Sequence, residues 1–162
     1  MRVRILAVLG AGAIAAFTAW FAFAAVNWKS GPQIVFNSGH TCVTVTGEAS
    51  GLGNEPAVAH VTVNGTVTYT CENGGGNQSP GQNPVSASST VNQDLGNSNH
   101  NGRGTLNLTA CITASPTVSG KVAGCPNDNW NGVNPQPSPV PITSGTLTIT
   151  QGGKTIYGPI NL

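Results

Sequence analysis

Few side chains in this sequence can do chemistry, and their spacing narrows the options at once. The histidines are His40, His60 and His100. His40 stands two residues before Cys42, and neither His60 nor His100 has a cysteine at ligand spacing. With no C-x-x-C either, a tetrahedral zinc site lacks its ligand set. Ser38 and His40 are too close in sequence to face one another across a strand, and no carboxylate stands beside them to orient the imidazole. The five acids, Glu48, Glu55, Glu72, Asp94 and Asp128, are scattered. Glycoside hydrolysis needs two facing carboxyl groups, and combinations such as Glu55 with Glu72 or Asp94 with Asp128 are arbitrary. "DLGNSNHNG" offers Asp94, Asn97, Asn99 and Asn101 before Gly102, a faint copy of calcium-loop spacing. It has one carboxylate and no closing glutamate. "NDN" at 127 to 129 shares that deficit, and both stretches read as Asx turns. The expectation is a protein that is not an enzyme and has no metal site and no cofactor.

The elements that would hold these residues are strands. "AHVTVNGTVTYTC" keeps Val61, Val63, Gly65, Val67, Tyr69 and Cys71 in phase, with His60, Thr62, Asn64, Thr66, Thr68 and Thr70 opposite. Asn64-Gly65 is a strong hairpin dipeptide, but the alternation passes through it without a slip. One long strand, kinked or bulged at Gly65, is therefore preferred over two short ones. "QIVF" (33–36), "TCVTVTG" (41–47), "VSASSTV" (85–91), "TLNLTACIT" (105–113), "GTLTIT" (145–150) and "KTIYGPINL" (154–162) alternate in the same way. "QGG" at 151 to 153 reads as the hairpin joining the last two. "ENGGGNQSPGQNP" (72–84) reads as irregular. The proline-rich stretch 114–141 reads as a surface loop wrapping the domain. Strands with one apolar side and no helical period point to an antiparallel two-sheet sandwich, immunoglobulin-like or Greek-key, with a small β-barrel as the alternative.

Facing ranks the disulfide pairings that four cysteines allow. Cys42 and Cys111 ride with the threonines, away from the apolar stripe. Cys71 points inward at the end of its strand, and Cys125 lies in a loop that can turn either way. Cys42 with Cys111 and Cys71 with Cys125 is the preferred scheme. The nearest-neighbour scheme, 42 with 71 and 111 with 125, needs opposite faces to meet. If Cys125 is tied to the long strand, Trp130 in "GCPNDNWNG" can fold over a sheet edge and pin the loop. A buried tryptophan is worth on the order of 3 kcal/mol. The other use of the loop is a sugar-stacking platform, which needs Trp130 or Tyr157 exposed beside polar groups such as Asp128 and Asn129.

The chain has 162 residues. It opens with Arg2 and Arg4, then an uncharged run from Ile5 to Val26, with "AFA" at 22 to 24. This reads as a signal peptide, residues 1–24, with an uncleaved membrane anchor over 5–26 as the alternative. Either way the single domain 25–162 is exported, and a membrane partner enters only if the leader is kept. From Ala25 onward Lys29, Arg103, Lys121 and Lys154 stand against the five acids. No basic cluster suited to nucleic acid exists. Low charge together with β-branched alternation argues against disorder, and four cysteines fit an oxidising compartment.

"GLGN" at 51 to 54, "VTYTCENGGGNQSPGQNP" at 67 to 84, "AGCPNDNW" at 123 to 130 and "GTLTITQGG" at 145 to 153 resemble a group of small, largely uncharacterised secreted proteins of actinobacteria. The resemblance spans most of the exported part. It implies export and a β-rich domain in which Cys71 and Cys125 recur together. It carries no catalytic or binding residues. The group usually shows "CTNPGGN" where this chain has "CENGGGN", so this loop lacks a proline and gains Glu72. The leading functional expectation is a secreted, disulfide-stabilised structural or surface-interaction protein of the cell envelope or extracellular space, self-associating through sheet edges. The alternatives are a glycan- or cell-wall-binding module, and a protein ligand or protease inhibitor presenting a rigid loop, Asn73 to Pro84 or Pro126 to Pro141.

Overall fold

Period-two alternation dictates the longest element. In the computed structural model, which describes residues 26–96 and 102–162, the stretch Ala57–Glu72 is one unbroken strand of 16 residues. It is β3 in a chain order of β1 (Asn27–Phe36), β2 (Cys42–Ser50), β3, β4 (Gln78–Pro80), β5 (Val85–Asp94), β6 (Arg103–Cys111), β7 (Thr117–Ser119), α1 (Gly120–Ala123), β8 (Asn131–Gln136), β9 (Ser144–Gln151) and β10 (Lys154–Asn161). Every odd-numbered residue of β3 from Ala57 to Cys71 is buried. Asn64-Gly65 makes neither a turn nor a bulge, because pairing with β5 runs through it without a shift, Asn64 opposite Ser88 and Gly65 opposite Ala87. The glycine answers a close approach instead. A Cβ there would fall on the Pro141 carbonyl oxygen and lie 2.8 Å from Val140 Cγ1.

β3 supports two sets of neighbours. Its first part lies between β9 and β5. Its last residues lie between β8 and β4. β10 extends the sheet beyond β9, and β7 extends it beyond β8. The second sheet has the order β1-β2-β6, and every pairing in both sheets is antiparallel. With β10-β9-β3-β5 facing β1-β2-β6, the principal strands form an immunoglobulin-like Greek-key sandwich. Val43, Val45, Leu106 and Leu108 from one sheet meet Val61, Val63, Leu147 and Ile149 from the other, all buried. Full burial of each such side chain is worth roughly 1.5–3 kcal/mol, which is why the alternation is strict here. The barrel alternative fails at the β5/β6 edge, where a side chain and no backbone ladder spans the gap. Gln93 Nε2 donates to the Thr105 carbonyl (3.0 Å) and its Oε1 accepts from the Asn107 N–H (2.8 Å).

The opposite edges, β1 and β10, are alike. Each carries a Gly-Pro step with the glycine at positive φ, Gly31 at 90° and Gly158 at 82°. Each has two shifts of register against its neighbour. A side chain at Gly31 would meet the Thr46 carbonyl oxygen at 2.7 Å.

Several boundaries differ from the sequence reading. β1 begins at Asn27 and not Gln33, because Pro32 sits on an edge strand where its missing N–H costs no ladder bond. β2 runs to Ser50 and β5 to Asp94. The segment 72–84 contains β4, hairpinned onto β3. The stretch 114–141 is no surface wrapping: β7, α1 and β8 lie within it, and β8 pairs with the end of β3. The leader expected at 1–24, or the anchor at 5–26, lies outside the described residues apart from Val26. Among the described residues no helix is long and apolar enough to cross a membrane.

Candidate functional site

The cysteines set the frame. Cys42 and Cys111 are direct cross-strand partners in the β2/β6 ladder, and their sulfurs are bonded at 2.09 Å. Cys71 is bonded to Cys125 at 2.02 Å, joining the end of β3 to the residues after α1. The Cys125 N–H also donates to the Gly120 carbonyl at 2.8 Å.

Beyond Cys125 the chain makes local turns. Asn127 Oδ1 accepts the Asn129 N–H (2.9 Å) and the Asn127 carbonyl accepts the Trp130 N–H (3.0 Å). Asp128 and Asn129 are exposed, while Trp130 is half-buried against the core. Tyr157 is also half-buried, but its ring partner is Trp28, edge to face with centroids 5.4 Å apart. Sequence reasoning passed over Trp28. Its ring occupies the space over Gly47, where a Cβ would come within 2.8 Å of Cζ3, and its Nε1 is buried without a hydrogen-bond partner. The signal was present in an aromatic residue followed by Gly-Pro in both "WKSGP" and "YGP". Of the segments expected to enter a partner's groove, 126–141 has its middle, Asn131–Gln136, built into the sheet as β8. The other turns on Asn73, whose Oδ1 accepts the N–H groups of Gly75 and Asn77, each at 2.9 Å.

The titratable groups are dispersed. Glu48 receives Lys29 at 3.5 Å and Arg103 at 3.9 Å on the outer side of the small sheet. Such exposed pairs are worth about 0–1 kcal/mol. Asp94 Oδ1 accepts the Gly96 N–H at 2.7 Å as an Asx turn; Asn97, Asn99, His100 and Asn101 lie outside the described residues. His40 stacks on Phe36. Among the described residues no three His, Cys, Asp or Glu side chains are grouped to hold a metal ion. The Tyr69 hydroxyl donates to the Ser115 carbonyl at 2.9 Å, and burial pushes this phenol's pKa up.

What the sheets do organise is neutral polarity. On the outer side of the large sheet, the His60 ring nitrogens bridge Asn92 Oδ1 and Thr150 Oγ1, each at 2.8 Å. The Thr62 and Thr90 hydroxyls meet at 3.0 Å, and Asn64 Nδ2 reaches Ser144 Oγ at 3.5 Å. On the small sheet the Thr44 and Thr109 hydroxyls meet at 2.9 Å. Two shallow grooves mark these faces. One, of about 430 Å³, lies where β1 deviates from β2 and includes Thr46, Glu48 and Asn107. The other, of about 360 Å³, lies over the end of β3 between β4 and β8. No protein-family model matches the chain, and no curated protein or solved structure matches it either.

Proposed function

We propose that the chain is an exported, disulfide-stabilised domain that works by surface contact at the cell envelope or in the extracellular space. The observation that carries this reading is the pair of outer faces covered by short hydroxyl and amide side chains tied across strands. Such a face offers donors and acceptors at fixed positions with little net charge, the chemistry that suits a hydroxyl-rich polymer. The resemblance to secreted actinobacterial proteins and the two disulfides support export.

Contact through faces is favoured over contact through edges. Strand addition needs a continuous row of free N–H and C=O groups. On β1 and β10 the Gly-Pro steps and register shifts interrupt that row, a recognised way of blunting edges. The test uses the chain from Ala25 onward on insoluble cellulose, chitin and purified cell-wall material, beside size-exclusion chromatography and negative-stain microscopy. Retention that survives high salt, from a monomeric species, is expected. Trp130→Ala should bind like wild type while melting at lower temperature. Absence of retention on every material would overturn the reading; filaments or oligomers that survive high salt would restore the edge mechanism in its place.

A further inference from the structure

We infer that the groove between β4 and β8 is a binding site for a short segment of neutral oligosaccharide, an inference that rests on the surface-contact reading and names its ligand class. Thr68 and Thr70, on the outward side of β3, form the floor. Gln78 and Pro80 stand on one wall, Asn134 and Gln136 on the other. At about 360 Å³ the groove falls at the small end of the roughly 300–1,000 Å³ typical of small-molecule sites.

Its chemistry is selective. Three of the lining side chains are carboxamides, each with an acceptor oxygen and two N–H donors. Sugar hydroxyls also donate and accept, so an amide can engage neighbouring hydroxyls of one ring together. Pro80 adds an apolar surface for the C–H side of a ring. No lysine or arginine lines the groove, so a phosphate or uronate would be desolvated there without a counter-charge. Gln78 Nε2 is already held by Glu72 Oε2 at 2.8 Å, which leaves the Gln78 carbonyl oxygen to accept from a ligand hydroxyl. The side-chain amides of Asn134 and Gln136 make no hydrogen bond among the described residues.

The backbone supplies an independent sign. Asn134 has a φ of 51°, a left-handed conformation that is uncommon in a strand residue. It falls where pairing slips, with Thr68 opposite Gln136 but Thr70 opposite Val133, so β8 carries one extra residue. Bulges of this kind redirect side chains beside binding sites, and here Asn134 lines the groove.

The test is a two-dimensional ¹⁵N–¹H NMR titration of the chain from Ala25 onward with cellohexaose, chitohexaose, laminarihexaose and maltohexaose at millimolar concentration, with oligogalacturonate as the charged comparison. At least one neutral hexasaccharide should move the amide signals of Thr68, Thr70, Gly81 and Gln136, and oligogalacturonate should not. Asn134→Gly keeps a backbone that tolerates positive φ and removes the amide; it should weaken binding about tenfold at unchanged melting temperature. Gln136→Ala should do the same. Shifts confined to Thr46 and Asn107 or to the Trp130 loop would overturn the assignment, as would Asn134→Gly binding like wild type or preference for the uronate. Retention on solid polysaccharide without shifts in the groove would refute this site and leave the surface-contact reading standing, whereas loss of both would refute the two together.

Discussion

Gly65→Ala tests the idea that the Asn-Gly dipeptide inside β3 exists for a passing chain and not for a turn. In isolation the change should help, since a buried methyl is worth about 0.8 kcal/mol and reduced unfolded-state freedom about 0.4–1 kcal/mol. Against this, the new Cβ collides with the Pro141 carbonyl oxygen, with Val140 Cγ1 at 2.8 Å and with Ile112 Cδ1 at 3.1 Å. The first of these is backbone and cannot rotate away. That backbone is tied down in the next two residues, because the Ile142 N–H donates to the His40 carbonyl (2.7 Å) and the Thr143 N–H to the Asn64 carbonyl (2.8 Å). Moving it endangers two hydrogen bonds of about 1 kcal/mol each, besides about 1–3 kcal/mol of overpacking. The net expectation is destabilisation of about 2 kcal/mol. Gly74→Ala is the internal control, since a Cβ there has nothing within 4 Å, and it should be neutral within about 0.5 kcal/mol. Urea unfolding followed by tryptophan fluorescence measures both. Equal midpoints for Gly65→Ala and wild type would show that Val140 and Pro141 do not press on the strand, and the reasoning would fail.

The disulfides should separate by burial. Loop entropy alone assigns about 4 kcal/mol to each, because their sequence separations, 69 and 54, differ little on a logarithmic scale. Cys71 is fully buried and Cys111 exposed, so Cys71→Ala/Cys125→Ala should lose about 1 kcal/mol more than Cys42→Ala/Cys111→Ala; the reverse order of urea midpoints would contradict this. Tyr69 gives a pH signature. Its folded-state pKa lies above the ordinary value near 10, so its contribution is complete below pH 10 and is lost as pH rises through the folded value, where the unfolded chain already ionises. Tyr69→Phe should be about 1 kcal/mol less stable at neutral pH, and its stability should decline less above pH 10. Parallel pH–stability curves would refute the link.

Legibility followed side-chain size. Val, Leu and Ile at alternate positions made β3, β6 and β9 readable, and the facing of Cys42, Cys71 and Cys111 came with them. β7, α1 and β8 were hidden because the buried positions there are Gly120, Ala123 and Gly132, with Val118 the single half-buried apolar side chain of β7, too little to make an apolar rhythm. β1 was read only from Gln33 because the Gly31-Pro32 step and two register shifts break its rhythm before that point. Trp28 was overlooked beside the apolar leader. The groove left no trace at all: Thr70, Gln78 and Asn134 are ordinary polar residues in sequence, and only the bulge in β8 and the β4 hairpin bring them together.

That β3 serves both sets of neighbours has a thermodynamic consequence for whatever settles over its end. The floor of the groove continues the strand whose other half is locked in the core, and the Cys71–Cys125 bridge clamps the same end. A ligand there meets a preorganised floor and has little main chain to immobilise, so more of each modest contact survives as affinity. The same stiffness narrows its choice, for a platform that cannot adjust admits only partners already shaped to lie along it.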